Sequence, residues 1–350
     1  MKRVLIYGEY SGYGKSLSQG FRDLGHHSSV FSPTGDNWKE ISVNYCLDNR
    51  SKISKLLSLA KLIPKFLRYD VVYIMNPYFF SVSLLGPLVL LLFWLFNKKV
   101  FLLCCGADVE YIKTGEAGEL NRWVYNGVGL PSPSFYKRKR DIFVNYLCAK
   151  VSRKIIPVMY DYQFCWKQSA FSHKLSNVVP LACDGQVTSI KSTDVNKIVI
   201  MHGISRAELK GSDVIIDALN YINVKYDNVE VLFPERLSQK EYLDLFEKVD
   251  ISIDQCKSNS YGMNGVYALL QGHVLLSSCS KEFHDSLSIE EIPVIHIEED
   301  VSDIISKLES ILLNPEELKN IKKSSQNYAS YLHNPKRVAN KLEEIELSCQ

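Results

Sequence analysis

The sequence has no Cys-x-x-Cys pair, no low-complexity tract, no short-period repeat and no excess of one charge. Its nine cysteines are scattered and odd in number, and Cys104 and Cys105 are neighbours that cannot easily pair with one another. Reduced thiols are therefore expected, not a disulfide framework or a zinc site. With 41 basic against 39 acidic residues the net charge is +2, which gives no global attraction to nucleic acid. No DxD-like acidic cluster or His/Cys ligand spacing stands out at a strand end, so no metal is expected. The opening MKRVLIYGEY runs straight into a strand and lacks the long apolar core of a secretory signal, so a cytoplasmic location is expected.

Long hydrophobic runs are also scarce. The longest candidate, Val82 to Phe96, is uncharged but only 15 residues long, where a membrane span needs about 20. Pro87 stands near its beginning, as in the first turn of a helix. The run reads as a buried or membrane-touching helix; a true span and a helix lying on a bilayer surface are the other readings.

What is present is the make-up of a globular protein: 46% hydrophobic and 23% charged residues over 350 positions, enough for two domains. Apolar strands at 3–7, 28–31, 71–75 and 100–104 alternate with helical stretches at 15–24, 51–67 and 84–96. One further helix near 141–152 is expected to close the first domain. The pattern restarts with strands at 197–201, 229–233 and 251–253 and helices at 212–222, 265–271 and 301–313, with two more to Leu347. Such alternation predicts α/β architecture with parallel sheets covered by helices on both faces. The segment from Asn177 to Asn196 reads as the linker. In these sheets ligands sit beyond the carboxyl ends of the strands, and two facing domains make a cleft there, so the residues after each strand matter most.

After the first strand comes Gly8-Glu-Tyr-Ser-Gly12-Tyr-Gly14-Lys15-Ser16. It approaches a P-loop, but five residues separate Gly8 from Gly14 where four are required, and Glu9 would repel phosphate. The alternatives are a glycine turn whose backbone approaches a ligand and opens a helix, or a tight turn with no ligand. After the strand ending at Cys104 comes Cys105-Gly-Ala-Asp108. Asp108 is a candidate general base for an acceptor hydroxyl and equally a helix N-cap.

In the second half, His202-Gly203-Ile204-Ser-Arg206 leads to Lys210-Gly-Ser-Asp213. Two cations four residues apart, beside glycines and a helix start, suit a diphosphate. The strand at 250–255 is followed by Asn259-Ser-Tyr261-Gly262 and then a helix carrying Tyr267. Each stretch alone is an ordinary strand–loop–helix turn; together in one domain they point to a nucleotide site. The basic run Lys137-Arg138-Lys139-Arg140 is either a solvated helix start or a docking point for anionic lipid headgroups, and a lipid pyrophosphate would use the same arginines.

These stretches together resemble the retaining glycosyltransferases of the GT-B fold, in particular the large family-4-like group of bacterial polysaccharide and lipopolysaccharide transferases. The resemblance rests on the N-terminal glycine loop, Gly106-Ala-Asp108, the Lys210-Gly-Ser-Asp stretch, the 249–272 region and Tyr331-Leu-His333-Asn-Pro335 before a last helix. It implies two Rossmann-like doubly wound domains facing a cleft. The expected boundaries are an acceptor-side domain over 1–184, a linker over 185–196, a donor domain over 197–330, and a final helix over 331–350 crossing back. It implies Lys210, with Arg206, neutralising a donor diphosphate, Asn259 to Gly262 facing the transferred sugar, and Tyr267 at the ribose. Gly12, Gly14 and Gly203 join the expected donor contacts. The family's glutamate pair would fall at 259 and 267, where this chain has Asn259 and Tyr267, and the family's first phosphate-binding arginine falls at Ile204.

The expected activity is metal-independent, cofactor-free transfer of a hexose-type residue from a nucleotide sugar to a lipid-linked bacterial glycan of O-antigen or capsule type. It would occur in the cytoplasm, at the inner face of a membrane, with no nucleic-acid partner. A catalytically weak or inactive glycan- or nucleotide-binding subunit, and a P-loop-like phosphotransferase, are the alternatives.

Overall fold

The computed structural model describes residues 1–33, 41–185, 187–235, 237 and 239–349. The chain divides into two compact units. Unit 1 comprises residues 1–121, 130–184 and 334–350; unit 2 comprises 122–129 and 185–333.

Among the described residues, unit 1 is built on six parallel strands: β1 (Arg3–Tyr7), β2 (His27–Ser32), β3 (Tyr45–Cys46), β4 (Val71–Ile74), β5 (Lys99–Cys104) and β6 (Lys154–Pro157), ordered β3-β2-β1-β4-β5-β6. Helices α1 (Tyr13–Asp23), α2 (Lys52–Phe66), α3 (Leu85–Leu95), α4 (Val109–Glu116), α5 (Lys139–Val151) and α6 (Tyr160–Lys167) complete the alternation. The inner strands are apolar runs because helices bury both faces of a parallel sheet. An aromatic cluster marks the core: Tyr7 stacks on Phe80 at 4.1 Å and meets Phe31, Phe66 and Phe93. Helix α5 does not close this unit; β6 and α6 follow it.

Unit 2 has, among the described residues, five parallel strands, β7 (Ile198–His202), β8 (Val229–Leu232), β9 (Ile251–Ile253), β10 (Val274–Ser277) and β11 (Val294–His296), ordered β11-β10-β9-β7-β8. Around them lie α7 (Ala207–Lys210), α8 (Ser212–Lys225), α9 (Gln239–Phe246), α10 (Met263–Leu270), α11 (Lys281–Leu287), α12 (Val301–Leu313) and α13 (Pro315–Leu332). The core of Ile198, Ile200, Ile215, Leu219, Ile251, Val274, Ile304 and Leu308 is aliphatic. At the opposite edge from the strand ends, Asp250 is fully buried between two lysines. Lys322 Nζ lies 2.6 Å from Oδ1 and Lys191 Nζ 2.5 Å from Oδ2, tying α13 and the chain before β7 to the sheet.

The last helix, α14 (Pro335–Leu347), returns to unit 1 and packs on α1. Gly20 permits the approach: a Cβ there would stand 2.0 Å from the carbonyl oxygen of Pro335. Glu346, buried in this contact, accepts from Lys2 (3.0 Å) and Lys99 (2.8 Å).

Strand order fixes where ligands can be held. Direction of winding reverses between β1 and β4 in unit 1, and between β7 and β9 in unit 2. The crevice beyond the carboxyl ends of such a pair is the general binding position of doubly wound sheets.

Candidate functional site

At the unit 1 switch point the glycine loop is closed by its own carboxylate. Glu9 is buried; its Oε1 accepts from the Gly12 N–H at 2.7 Å and its Oε2 from the Lys15 N–H at 2.8 Å. Burial pushes this carboxyl up, and the backbone N–H groups of Lys15, Gly12 and Gly14 pull it back in part. Gly14 has to be a glycine, since a Cβ would lie 2.8 Å from the Gly8 oxygen and 2.9 Å from Glu9 Oε2. The N–H groups that a P-loop would offer to phosphate are spent on Glu9. Lys15 turns to Asp184, 3.5 Å away. Gly12 and Gly14 thus shape a carboxylate-filled turn, which speaks against the P-loop alternative.

Asp108 is fully buried in unit 1 and serves as the N-cap of α4: Oδ1 accepts from the Tyr111 N–H at 2.9 Å and Oδ2 from Trp166 Nε1 at 2.8 Å. Burial raises its pKa to about 6 against these two hydrogen bonds. Of the two sequence readings, this geometry supports the cap, because neither oxygen faces an open space. Asn76, after β4, ties the neighbouring loop down by donating to Cys105 O and Ala107 O, both at 3.0 Å.

At the unit 2 switch point the sequence motifs converge. His202 ends β7, buried, with Nδ1 2.9 Å from Ile253 O and Nε2 2.8 Å from Ser212 Oγ. Burial and the nearby Lys210 charge push its pKa down to about 4. The carbonyl partner requires the proton on Nδ1, so Nε2 accepts from Ser212 and pins the start of α8 to the strand end. Lys210 is buried, its Nζ 2.9 Å from Asp254 Oδ1 and 3.3 Å from Gly203 O. Burial works against the Asp254 charge, but Lys210, the Gly262 N–H and Asn264 hold its carboxyl below the ordinary range. An ammonium has three N–H donors, so one of Lys210's remains for a ligand after these two contacts. Arg206 is exposed and adopts a left-handed conformation, φ 55°, at the start of α7.

The loop after β9 supplies a buried polar floor. Ser258, Asn259 and Ser260 are buried beside Ser277, Ser278 and Ser280 at the end of β10, and Gln255 Nε2 donates to Ser258 Oγ at 2.8 Å and Ser260 O at 2.6 Å. Gly262 donates its N–H to Asp254 Oδ2 at 3.1 Å and opens α10, on which Tyr267 is largely buried. Gly203 has Tyr242 against it: a Cβ there would meet the phenol oxygen at 2.3 Å. Tyr261, expected among the donor contacts, turns into the core. Its hydroxyl lies 2.7 Å from the Tyr328 hydroxyl and 3.0 Å from His333 Nε2. Sequence reasoning missed Asp254, which organises Lys210, Gly262 and Asn264; its signal was an acidic residue directly after β9.

The basic run is exposed in unit 1. Lys137 pairs with Glu116 at 2.5 Å, Arg138 donates to Ser134, Lys139 opens α5, and Arg140 donates to Ser83 O at 2.8 Å. That last contact sets the run beside α3. Helix α3 buries Val89, Leu90 and Phe93 but leaves Leu88, Leu91, Trp94 and Leu95 exposed, Trp94 by 66%. Among the described residues no helix is long and apolar enough to cross a membrane.

Two parallel Rossmann-like sheets, each with its own switch point, and a final helix returning to the first unit define the GT-B fold. Solved structures agree over the whole length. The chain is similar to HepE of Anabaena in complex with UDP and glucose (14% identity, 99% of each chain, TM-score 0.64). It is also similar to sucrose-phosphate synthase from Thermosynechococcus elongatus (10% identity, 99% of this chain and 98% of that one, TM-score 0.64) and to a glycosyltransferase from Rickettsia africae (14%, 99% and 98%, TM-score 0.59). No family model and no curated protein matches the sequence. Identities this low establish the fold; the chemistry has to be argued from the site.

Proposed function

We propose that this chain is a glycosyltransferase that draws a sugar from a nucleotide-sugar donor held at the carboxyl edge of the unit 2 sheet. The observation that carries the reading is the β7–β9 switch point, where a buried lysine, an exposed arginine and a floor of buried serine and asparagine side chains converge. Lys210 and Arg206 would meet the diphosphate and steady the charge on the leaving nucleotide, with the start of α8 adding its dipole. Asn259 would hydrogen-bond the sugar and Tyr267 the ribose. This arrangement meets phosphate charge with cations, so transfer is expected to proceed in excess EDTA. The reading also includes retention of anomeric configuration, as the resemblance implies.

For the acceptor, the reading is a growing glycan on a lipid carrier at an anionic bilayer, as in O-antigen or capsule assembly. Support comes from unit 1, where Lys137 to Arg140 adjoin the exposed apolar face of α3. Basic residues next to an apolar face suit a negatively charged surface, each cation contributing about 1 kcal/mol. A second reading, a nucleotide- or glycan-binding subunit without turnover, is favoured by Asn259 and Tyr267 standing where glutamates are expected.

The test is thermal stabilisation across UDP-, GDP- and dTDP-sugars, followed by transfer assays with vesicle-borne acceptor. Stabilisation by one donor class with acceptor-dependent release of nucleotide supports the enzyme. Stabilisation without release selects the binding subunit, conversion of the donor sugar without acceptor makes it an isomerase, and no stabilisation by any nucleotide removes the donor site.

A further inference from the structure

Residues 122–129 lie in sequence between α4 and α5 of unit 1, yet belong to unit 2. They form neither helix nor strand, only turns closed by Asn126 N–H to Trp123 O at 2.8 Å and Gly129 N–H to Tyr125 O at 3.1 Å. Arg122 anchors one end. Its Nη1 reaches Cys256 O (3.3 Å), after β9, and Ile297 O (3.4 Å), after β11; its Nη2 reaches His296 and Glu298. At the other end Tyr125 is buried within range of the Arg206 charge, after β7. The segment is therefore anchored at the ends of β9 and β11, on the carboxyl edge of the unit 2 sheet that carries the switch point.

Between these anchors stands Trp123. Its ring packs edge-on against Tyr125 at 5.5 Å, and its indole N–H is buried with no acceptor among the described residues. Indole is a donor only, and a buried donor left without an acceptor is a standing cost that native structures rarely keep without a reason. Arg122 beside it is held by backbone carbonyls, and Gln255, after β9, donates to Ser258 and Ser260.

We infer that residues 122–129 are a strap completing the donor site of unit 2, in which the Trp123 indole N–H donates to a phosphate or sugar oxygen of the bound nucleotide sugar and Arg122 positions it. The inference rests on the donor reading above and adds to it a segment contributed by the other half of the sequence.

The experiment is calorimetric titration of UDP and UDP-glucose into the wild-type protein and Trp123→Phe, which keeps a ring and deletes the N–H. It is accompanied by the indole ¹⁵N–¹H resonance that disappears in this variant. Loss of a hydrogen bond to a charged oxygen predicts a roughly ten- to a hundred-fold weaker Kd for Trp123→Phe. The wild-type indole resonance should shift on adding ligand and exchange more slowly with solvent. With no partner lost in the free protein, the unliganded melting midpoint of Trp123→Phe should be unchanged. Equal affinity in the two proteins with an unmoved indole resonance overturns the strap while leaving the donor reading intact. Failure of the folded wild-type protein to bind either ligand at millimolar concentration overturns the UDP-donor reading, and the strap with it. A lowered unliganded midpoint with unchanged affinity makes Trp123 a structural residue and overturns the inference.

Discussion

Lys210 and Asp254, 44 residues apart in sequence, form a buried ion pair at 2.9 Å between the first helical turn after β7 and the end of β9. The pair means that the residue expected to grip a donor diphosphate also holds the switch point together. Lys210→Ala should therefore cost about 3–5 kcal/mol of stability, because it strands a buried carboxylate. It should also weaken nucleotide-sugar affinity. Denaturant unfolding without ligand measures the first effect, and titration well below the melting temperature measures the second. Asp254, held below its usual pKa, contributes stability that is fully present above about pH 4 and is lost as pH falls through its lower folded value. The Asp254→Asn variant should show a flatter acid limb.

The two tyrosines after β9 should separate. Tyr261→Phe removes the hydroxyl between Tyr328 and His333, and about 1 kcal/mol of stability per lost hydrogen bond should go with it, leaving donor affinity as it was. Tyr267→Phe, if the ribose lies where the proposed site puts it, should raise the donor Kd by roughly the 0.5–1.5 kcal/mol of one hydrogen bond. A drop in donor affinity for Tyr261→Phe would return that residue to the site.

Glu9→Ala should destabilise unit 1 by about 1–3 kcal/mol, since the N–H groups of Gly12 and Lys15 lose their acceptor. Lys15→Ala should leave nucleotide affinity unchanged. Loss of nucleotide binding in Lys15→Ala with retention in Lys210→Ala would reinstate the phosphate-loop reading.

Asp108 gives a pH signature of the opposite sign to Asp254. Its folded pKa of about 6 lies above the ordinary 3.8 of an aspartate, so the folded protein takes up a proton that the unfolded chain releases. The stability it contributes is fully present below about pH 4 and is lost as pH rises through about 6. Asp108→Asn should remove this slope while keeping a cap oxygen for Tyr111. An unchanged slope in the variant would reassign the titration, and a normal transfer rate would leave Asp108 as a helix cap alone.

Much of the fold was legible because strands buried on both faces leave apolar runs that need no partner to recognise. Strand Arg3–Tyr7 and helix Val301–Leu313 coincide with their sequence assignments, and most others shift by a residue or two. Strands β3, β6, β10 and β11 were not expected; β3, β6 and β11 are short strands at the sheet edges, where pairing is decided by distant residues. The site divides the same way. Lys210, Asn259 and Gly262 could be placed because they follow strand ends locally. Asp254 as the partner of Lys210, Tyr261 facing α13 and Arg122 reaching the ends of β9 and β11 depend on contacts between residues 44 to 175 positions apart, which no local pattern encodes. Glu9 was read only as a charge hostile to phosphate, although its place within six residues of its partners allowed it to be read as the loop's own ligand.

The return of α14 has a consequence for synthesis. A ribosome has made every strand of both sheets before it reaches Pro335, yet unit 1 still lacks the helix that covers α1 and supplies Glu346 to Lys2 and Lys99. During translation the first unit to be made is thus the last to be finished, waiting with the α1 surface around Gly20 uncovered while the second unit completes its sheet. A nascent chain stalled at His333 would carry its folding defect some 300 residues upstream, near its own beginning.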